Sequence, residues 1–131
     1  MSVSNPVRPI EPVPAPPREL HLVDAEVVDP TVLTDAARLR RAARHAVAAG
    51  GGHVLDTSHV MFPNGAVTLV LILAESHLAI HTWPEDNLIA IDLFSCGAID
   101  GYRVAAELGR LLGLDQVHMR QIERGTVRPG R

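Results

Sequence analysis

Between the tight-turn signal Pro63-Asn64-Gly65 and the polar pair Glu75-Ser76 lie nine residues, Ala66 to Ala74, that are apolar except for Thr68. A bilayer span needs about 20 apolar residues, so this run belongs inside a protein. At this length, bounded by turn signals, it reads as a strand. Alternation would leave one strand face wet, and here both faces are apolar. Both sides of the sheet at this strand must therefore be covered.

The flanking segments define the rest of the sheet. Leu20–Val28 suits a strand. Asp29-Pro30 reads as an N-cap followed by proline in the first turn of a helix. Val32, Ala36, Leu39, Ala43 and Ala46 continue it at helical spacing, and Gly50-Gly51-Gly52 ends it. His53–Phe62, Ser76–Thr82, Leu88–Ser95 and Asp115–Glu123 read as further strands. A second helix is expected over Ile99–Leu112, with Val104, Ala105, Leu108, Leu111 and Leu112 on its apolar side. Arg103 and Glu107 are spaced for an i,i+4 ion pair. Short turns between the middle strands make them antiparallel neighbours.

The expected fold class is α+β, a two-layer sandwich of an antiparallel sheet with two helices on one face. Two helices cover one face only, so the other is expected to pack against a second copy, with sheets packed across a homodimer. Residues 1–18 carry six of the ten prolines. Proline at that density disfavours helix and sheet, so this stretch is expected to be a disordered tail ahead of a single domain, residues 19–131.

Composition removes several function classes. The net charge of −3 offers no basic footprint for nucleic acid. One cysteine, Cys96, excludes an internal disulfide framework. No signal or membrane segment is legible, and a cytoplasmic location is the default expectation. His77 and His81 would share one strand face, as a metal pair requires. No third ligand stands at a recognisable spacing, so no metal is expected.

Taken singly, each polar residue near the apolar run has an ordinary reading. Cys96 could be a small buried hydrophobe. Glu75-Ser76 could be a strand-end turn. Ser76 lacks the Gly-x-Ser-x-Gly elbow of a hydrolase nucleophile. Taken together they are harder to dismiss. The 24 residues from Ala74 to Gly97 include Glu75, Ser76, two histidines, a tryptophan and the single cysteine. Short turns would bring Ser76, His81 and Cys96 close to one sheet edge.

The stretch Glu75-Ser76-His77-Leu78-Ala79-Ile80-His81-Thr82-Trp83-Pro84-Glu85, followed by Asp92-Leu93-Phe94-Ser95-Cys96-Gly97, closely resembles the signature of the prokaryotic S-adenosylmethionine decarboxylase proenzymes. Weaker similarity runs from His21 through Arg124-Gly125. The resemblance implies a chain that cuts its own Glu75–Ser76 bond, giving a β chain, residues 1–75, and an α chain, residues 76–131. Ser76 would become a pyruvoyl cofactor that forms a Schiff base with the substrate amine. It also implies that Thr68 and His81 assist this processing and that Cys96 is the proton donor after decarboxylation. Glu85, Phe62 and Leu78 would bind substrate. The small-molecule substrate implied is S-adenosylmethionine, decarboxylated to the aminopropyl donor of spermidine synthesis, at active sites on the homodimer interface.

Some positions differ from the family pattern. The first strand reads Asp24-Ala25-Glu26-Val27-Val28 where an aromatic pair is common. Asp86-Asn87-Leu88 follows Trp-Pro-Glu where Gly-Tyr is common. Leu69 stands where glycine usually follows the processing hydroxyl. The chain has only four aromatic residues, Phe62, Trp83, Phe94 and Tyr102. Two alternatives therefore stand beside the first reading. One is the same machinery acting on L-ornithine or L-arginine, with Glu26 and Asp86 as candidate carboxylates for the distal cation. The other is an inactive regulatory partner, although such a protein has no reason to keep Glu75, Ser76, His81 and Cys96.

Overall fold

The computed structural model describes residues 17–125 and Val127. Six strands form one antiparallel sheet: β1 (Arg18–Val27), β2 (Val54–Met61), β3 (Val67–Leu73), β4 (Ser76–Trp83), β5 (Leu88–Ser95) and β6 (Leu114–Arg124). Their spatial order is β2-β3-β4-β5-β1-β6. Two helices, α1 (Ala36–Ala49) and α2 (Gly101–Leu112), lie on one side of it. The expected α+β two-layer arrangement is what forms. Of the tail expected over residues 1–18, positions 1–16 fall outside the described residues, and Arg18 already opens β1.

Strand alternation builds the core. Val23, Ala25 and Val27 of β1, Val67, Leu69, Leu71 and Leu73 of β3, Leu78 and Ile80 of β4, and Ile89, Ile91 and Leu93 of β5 all point under the helices and are buried. They meet Leu39, Ala43, Ala46 and Val47 of α1 and Val104, Leu108 and Leu112 of α2 in one cluster. Burial of this apolar area is the main stabilising term. The opposite face has no helix. It presents Thr68, Val70 and Ile72 of β3 beside Ala79, His81 and Trp83 of β4, and Ile72 is 50% exposed. Within the protomer, β3 is therefore covered on one side only.

Several strand ends shift by one or two residues, and both helices start later than the sequence reading has them. The helix expected from Asp29 is two pieces. Asp29 caps a single 3-10 turn, Pro30–Thr34, by accepting from the Thr31 N–H at 3.0 Å and the Thr31 hydroxyl at 2.7 Å. Asp35 then interrupts the helical path and caps α1 through the Arg38 N–H at 3.0 Å. The break lets Leu33 tuck under the sheet, where its carbonyl accepts from the Thr82 hydroxyl at 2.7 Å. The second helix starts at Gly101 rather than Ile99, because Asp100 takes the N-cap position and accepts from the Arg103 N–H. A side chain at Gly101 would drive its Cβ into the buried His21 ring, so glycine permits this close approach. The expected Arg103–Glu107 pair forms at 3.6 Å, but Arg110 lies closer to Glu107, at 2.7 Å. Among the described residues no helix is long and apolar enough to cross a membrane.

Candidate active site

Ala74 and Glu75 form the tight turn between β3 and β4, so Leu73 pairs with Ser76 and Ser76 pairs in turn with Ser95 of β5. Cys96, one residue past β5, is thereby set beside the Glu75–Ser76 peptide. Its backbone N–H donates to the Glu75 carbonyl at 3.2 Å. Gly97 turns the chain away at once with φ 91, and its N–H donates to the Ser95 hydroxyl at 3.0 Å. Ser76 itself has φ 153, a conformation that costs an L residue energy and persists only where neighbours enforce it. Its hydroxyl lies 3.3 Å from Nδ1 of His77. The Glu75 carboxylate is held by His53, whose ring and backbone N–H both bond to it. Those bonds keep the Glu75 carboxyl below its ordinary pKa.

A second group of residues gathers at the far end of β4. Phe62, Asn64, Thr68, His81, Trp83 and Glu85 line a groove of about 350 Å³ on the open face. Thr68 and His81 are cross-strand partners, with Oγ1 and Nδ1 3.3 Å apart. The Asn64 side-chain amide donates to Glu85 at 3.2 Å. The groove floor is fixed from the other side by Thr82. Its buried hydroxyl accepts the Val67 N–H at 2.8 Å while donating to Leu33.

The sequence places Ser76, His81 and Cys96 near one edge, and the structure corrects this. Ser76 and Cys96 do meet. His81 lies five residues along an extended strand, about 16 Å away at roughly 3.3 Å per residue. Direct proton transfer needs about 3 Å. Nor is the location an edge, since β4 is paired on both sides. Leu78 also departs from expectation. Its side chain is fully buried under the helices, opposite Leu71 and Leu93, and cannot reach the groove on the other face.

Three contributors were not singled out for a role from sequence. Asn64 looked like a turn residue, yet it orients Glu85. Trp83 gives the groove its second aromatic wall. Phe94 stacks on His77 at 5.9 Å and carries the Arg124 guanidinium 5.2 Å above its ring, flanking the Ser76 end. Cross-strand register would have paired His77 with Phe94, but no local sequence signal brings in Arg124. Among the described residues, no three His, Cys, Asp or Glu side chains gather as a metal site.

A family model described as S-adenosylmethionine decarboxylase matches residues 19–125. The S-adenosylmethionine decarboxylase proenzyme 2 of Bacillus anthracis is 37% identical over 105 residues, covering 79% of this chain and 85% of that protein. The S-adenosylmethionine decarboxylase proenzyme of Thermotoga maritima is 38% identical over 108 residues, covering 82% and 79%. The crystal structure of the adenosylmethionine decarboxylase from Aquifex aeolicus VF5 superposes with a TM-score of 0.75 at 29% identity. The match covers 89% of this chain and 98% of that one.

Proposed function

The chain belongs to the S-adenosylmethionine decarboxylase family, and we propose that it is a self-cleaving pyruvoyl enzyme that decarboxylates S-adenosylmethionine. The observation that carries this reading is the strained Ser76 joined to a carbonyl already bonded by the Cys96 amide. Attack of the Ser76 hydroxyl on the Glu75 carbonyl forms the C–O bond and breaks the C–N bond, and the hydroxyl proton passes to the freed amine. Negative charge on the attacked oxygen is met by the Cys96 N–H. Strain at Ser76 supports the step, because amide planarity opposes it. Loss of the Ser76 α-proton then expels the Glu75 carboxylate, and water converts the resulting dehydroalanine to a pyruvoyl group and ammonia.

The fit to that group rests on position 76 itself, half-buried at the strand end with the exposed Cys96 next to it. The pyruvoyl group supplies a ketone that captures the substrate amine and accepts the electron pair left when carbon dioxide departs. Cys96 returns a proton to the substrate carbon. Glu85, held by Asn64, accepts the ribose hydroxyls. Phe62 and Trp83 offer ring faces to the adenine and the sulfonium cation.

The distance from Ser76 to His81 also supports a homodimer. A two-fold packing of open faces, with the β4 strands antiparallel, sets the Ser76–Cys96 end of one protomer against the groove of its partner. The proton acceptor for Ser76 is then His81 of the partner subunit. Val60, Phe62, Ile72, Trp83 and Ile122 are exposed large apolar residues on that face and gain cover from the contact.

The test is carbon dioxide release from carboxyl-labelled S-adenosylmethionine, L-ornithine and L-arginine, with Ser76→Ala as the uncleavable control. Release from S-adenosylmethionine alone is expected. Release from ornithine or arginine alone would overturn the substrate assignment. Release from none would remove the decarboxylase reading.

A further inference from the structure

His53 lies between the triple glycine that ends α1 and the first residue of β2. It grips the two residues ahead of the Glu75–Ser76 bond in three ways. Its carbonyl accepts the Ala74 N–H at 2.9 Å. Its own N–H donates to one Glu75 carboxylate oxygen at 2.9 Å, and its Nδ1 bonds the other at 2.8 Å. A carboxylate offers only acceptors, so Nδ1 carries the proton in this contact. The exposures of the two partners differ sharply. The Glu75 side chain is 12% exposed and the His53 side chain 76%. The ring therefore contributes little to core packing, and Glu75 is its ion-pair partner.

We propose that His53 is a positioning residue for chain cleavage, clamping Glu75 so that its carbonyl stays within reach of the Ser76 hydroxyl. This rests on the self-cleavage reading above. Glu75 is held at two points. Its carbonyl is fixed by the Cys96 N–H from the β5 side, and its carboxylate by His53 from the β2 side. With both in place, the turn cannot rotate to relieve the φ of 153 at Ser76. Without the ring bond, Glu75 can swing, the carbonyl can leave the Cys96 amide, and the reactive conformer is depopulated. A rate that depends on population of that conformer falls in proportion.

The experiment follows loss of the intact chain by gel electrophoresis after refolding, in the wild type, His53→Ala, Glu75→Ala and the double variant. Circular dichroism confirms that each is folded. His53→Ala is expected to slow cleavage about tenfold, about 1.4 kcal/mol in barrier. The double variant should be no slower than Glu75→Ala alone, because the two residues act through one contact. His53→Asn, which restores a side-chain N–H donor, should recover part of the rate. If His53→Ala does not fold, His53→Phe keeps a ring and loses the donor. A His53→Ala or His53→Phe chain that cleaves within twofold of wild type overturns the proposal. So does a double variant slowed by the product of the single effects. A wild-type chain that never cuts would instead remove the self-cleavage reading, and the role of His53 with it.

Discussion

Mixing two variants tests the proposed two-protomer site directly. In Ser76→Ala the hydroxyl proposed to attack is gone; in His81→Ala the group proposed to take the α-proton is gone. Within one protomer these positions are five residues apart on extended β4, about 16 Å. A contact of about 3 Å can therefore arise only between subunits. In a heterodimer of the two variants, one composite site lacks both groups. The other joins the intact Ser76 of the His81→Ala chain to the intact His81 of the Ser76→Ala chain. Random pairing of equal amounts places about half of each chain in heterodimers. About half of the His81→Ala chains should then cut, and no Ser76→Ala chains. The assay co-refolds the two proteins with different tags and resolves the fragments by mass. If mixing leaves the His81→Ala chain as intact as it is alone, although heterodimers are captured through both tags, then Ser76 and His81 do not act across the interface.

Two other measurements probe the scaffold of the site. Thr82→Val keeps the shape but removes a buried hydroxyl that serves both Val67 and Leu33. Two buried backbone groups lose their partners, so urea unfolding should show about 2–4 kcal/mol of destabilisation. The second concerns Glu75, whose carboxyl is held below its ordinary value chiefly by the His53 side-chain bond. A carboxyl lowered on folding contributes stability above its unfolded pKa and loses it as pH falls through the folded one. In the uncleavable Ser76→Ala background, adding His53→Ala should lower the urea midpoint at pH 6, and the gap between the two should close as the pH drops below about 4.

Much of the layout was legible because strand and helix periods are local. The turn at Pro63-Asn64-Gly65 sufficed to set β2 beside β3, and Leu88–Ser95 was legible as the strand that becomes β5. The break at Asp35 was missed because Val32 and Ala36 keep helical spacing across it. What breaks the helix is a tertiary demand, the Leu33 carbonyl meeting Thr82. The residues of the site were legible as a linear motif, but their grouping was not. Proximity in sequence suggested one cluster, whereas the rise per residue of β4 makes two. The role of Asn64 and the grip of His53 on Glu75 depend on side chains meeting across 21 and 22 residues, which no local pattern encodes.

If the chain is cut between Glu75 and Ser76 as proposed, the strand order has a consequence for the product. The N-terminal piece owns β1, β2 and β3, and the C-terminal piece owns β4, β5 and β6. In space β1 is wedged between β5 and β6, so the pieces interlock rather than sit side by side. Neither can depart without tearing three strand boundaries: β3 from β4, β5 from β1, and β1 from β6. The nicked molecule thus holds together with no covalent tie, as firmly as a single sheet does. Its unfolding, however, releases two solutes instead of one. Recovery from denaturation becomes a second-order encounter, so dilution, harmless to the uncut precursor, should penalise refolding of the mature form.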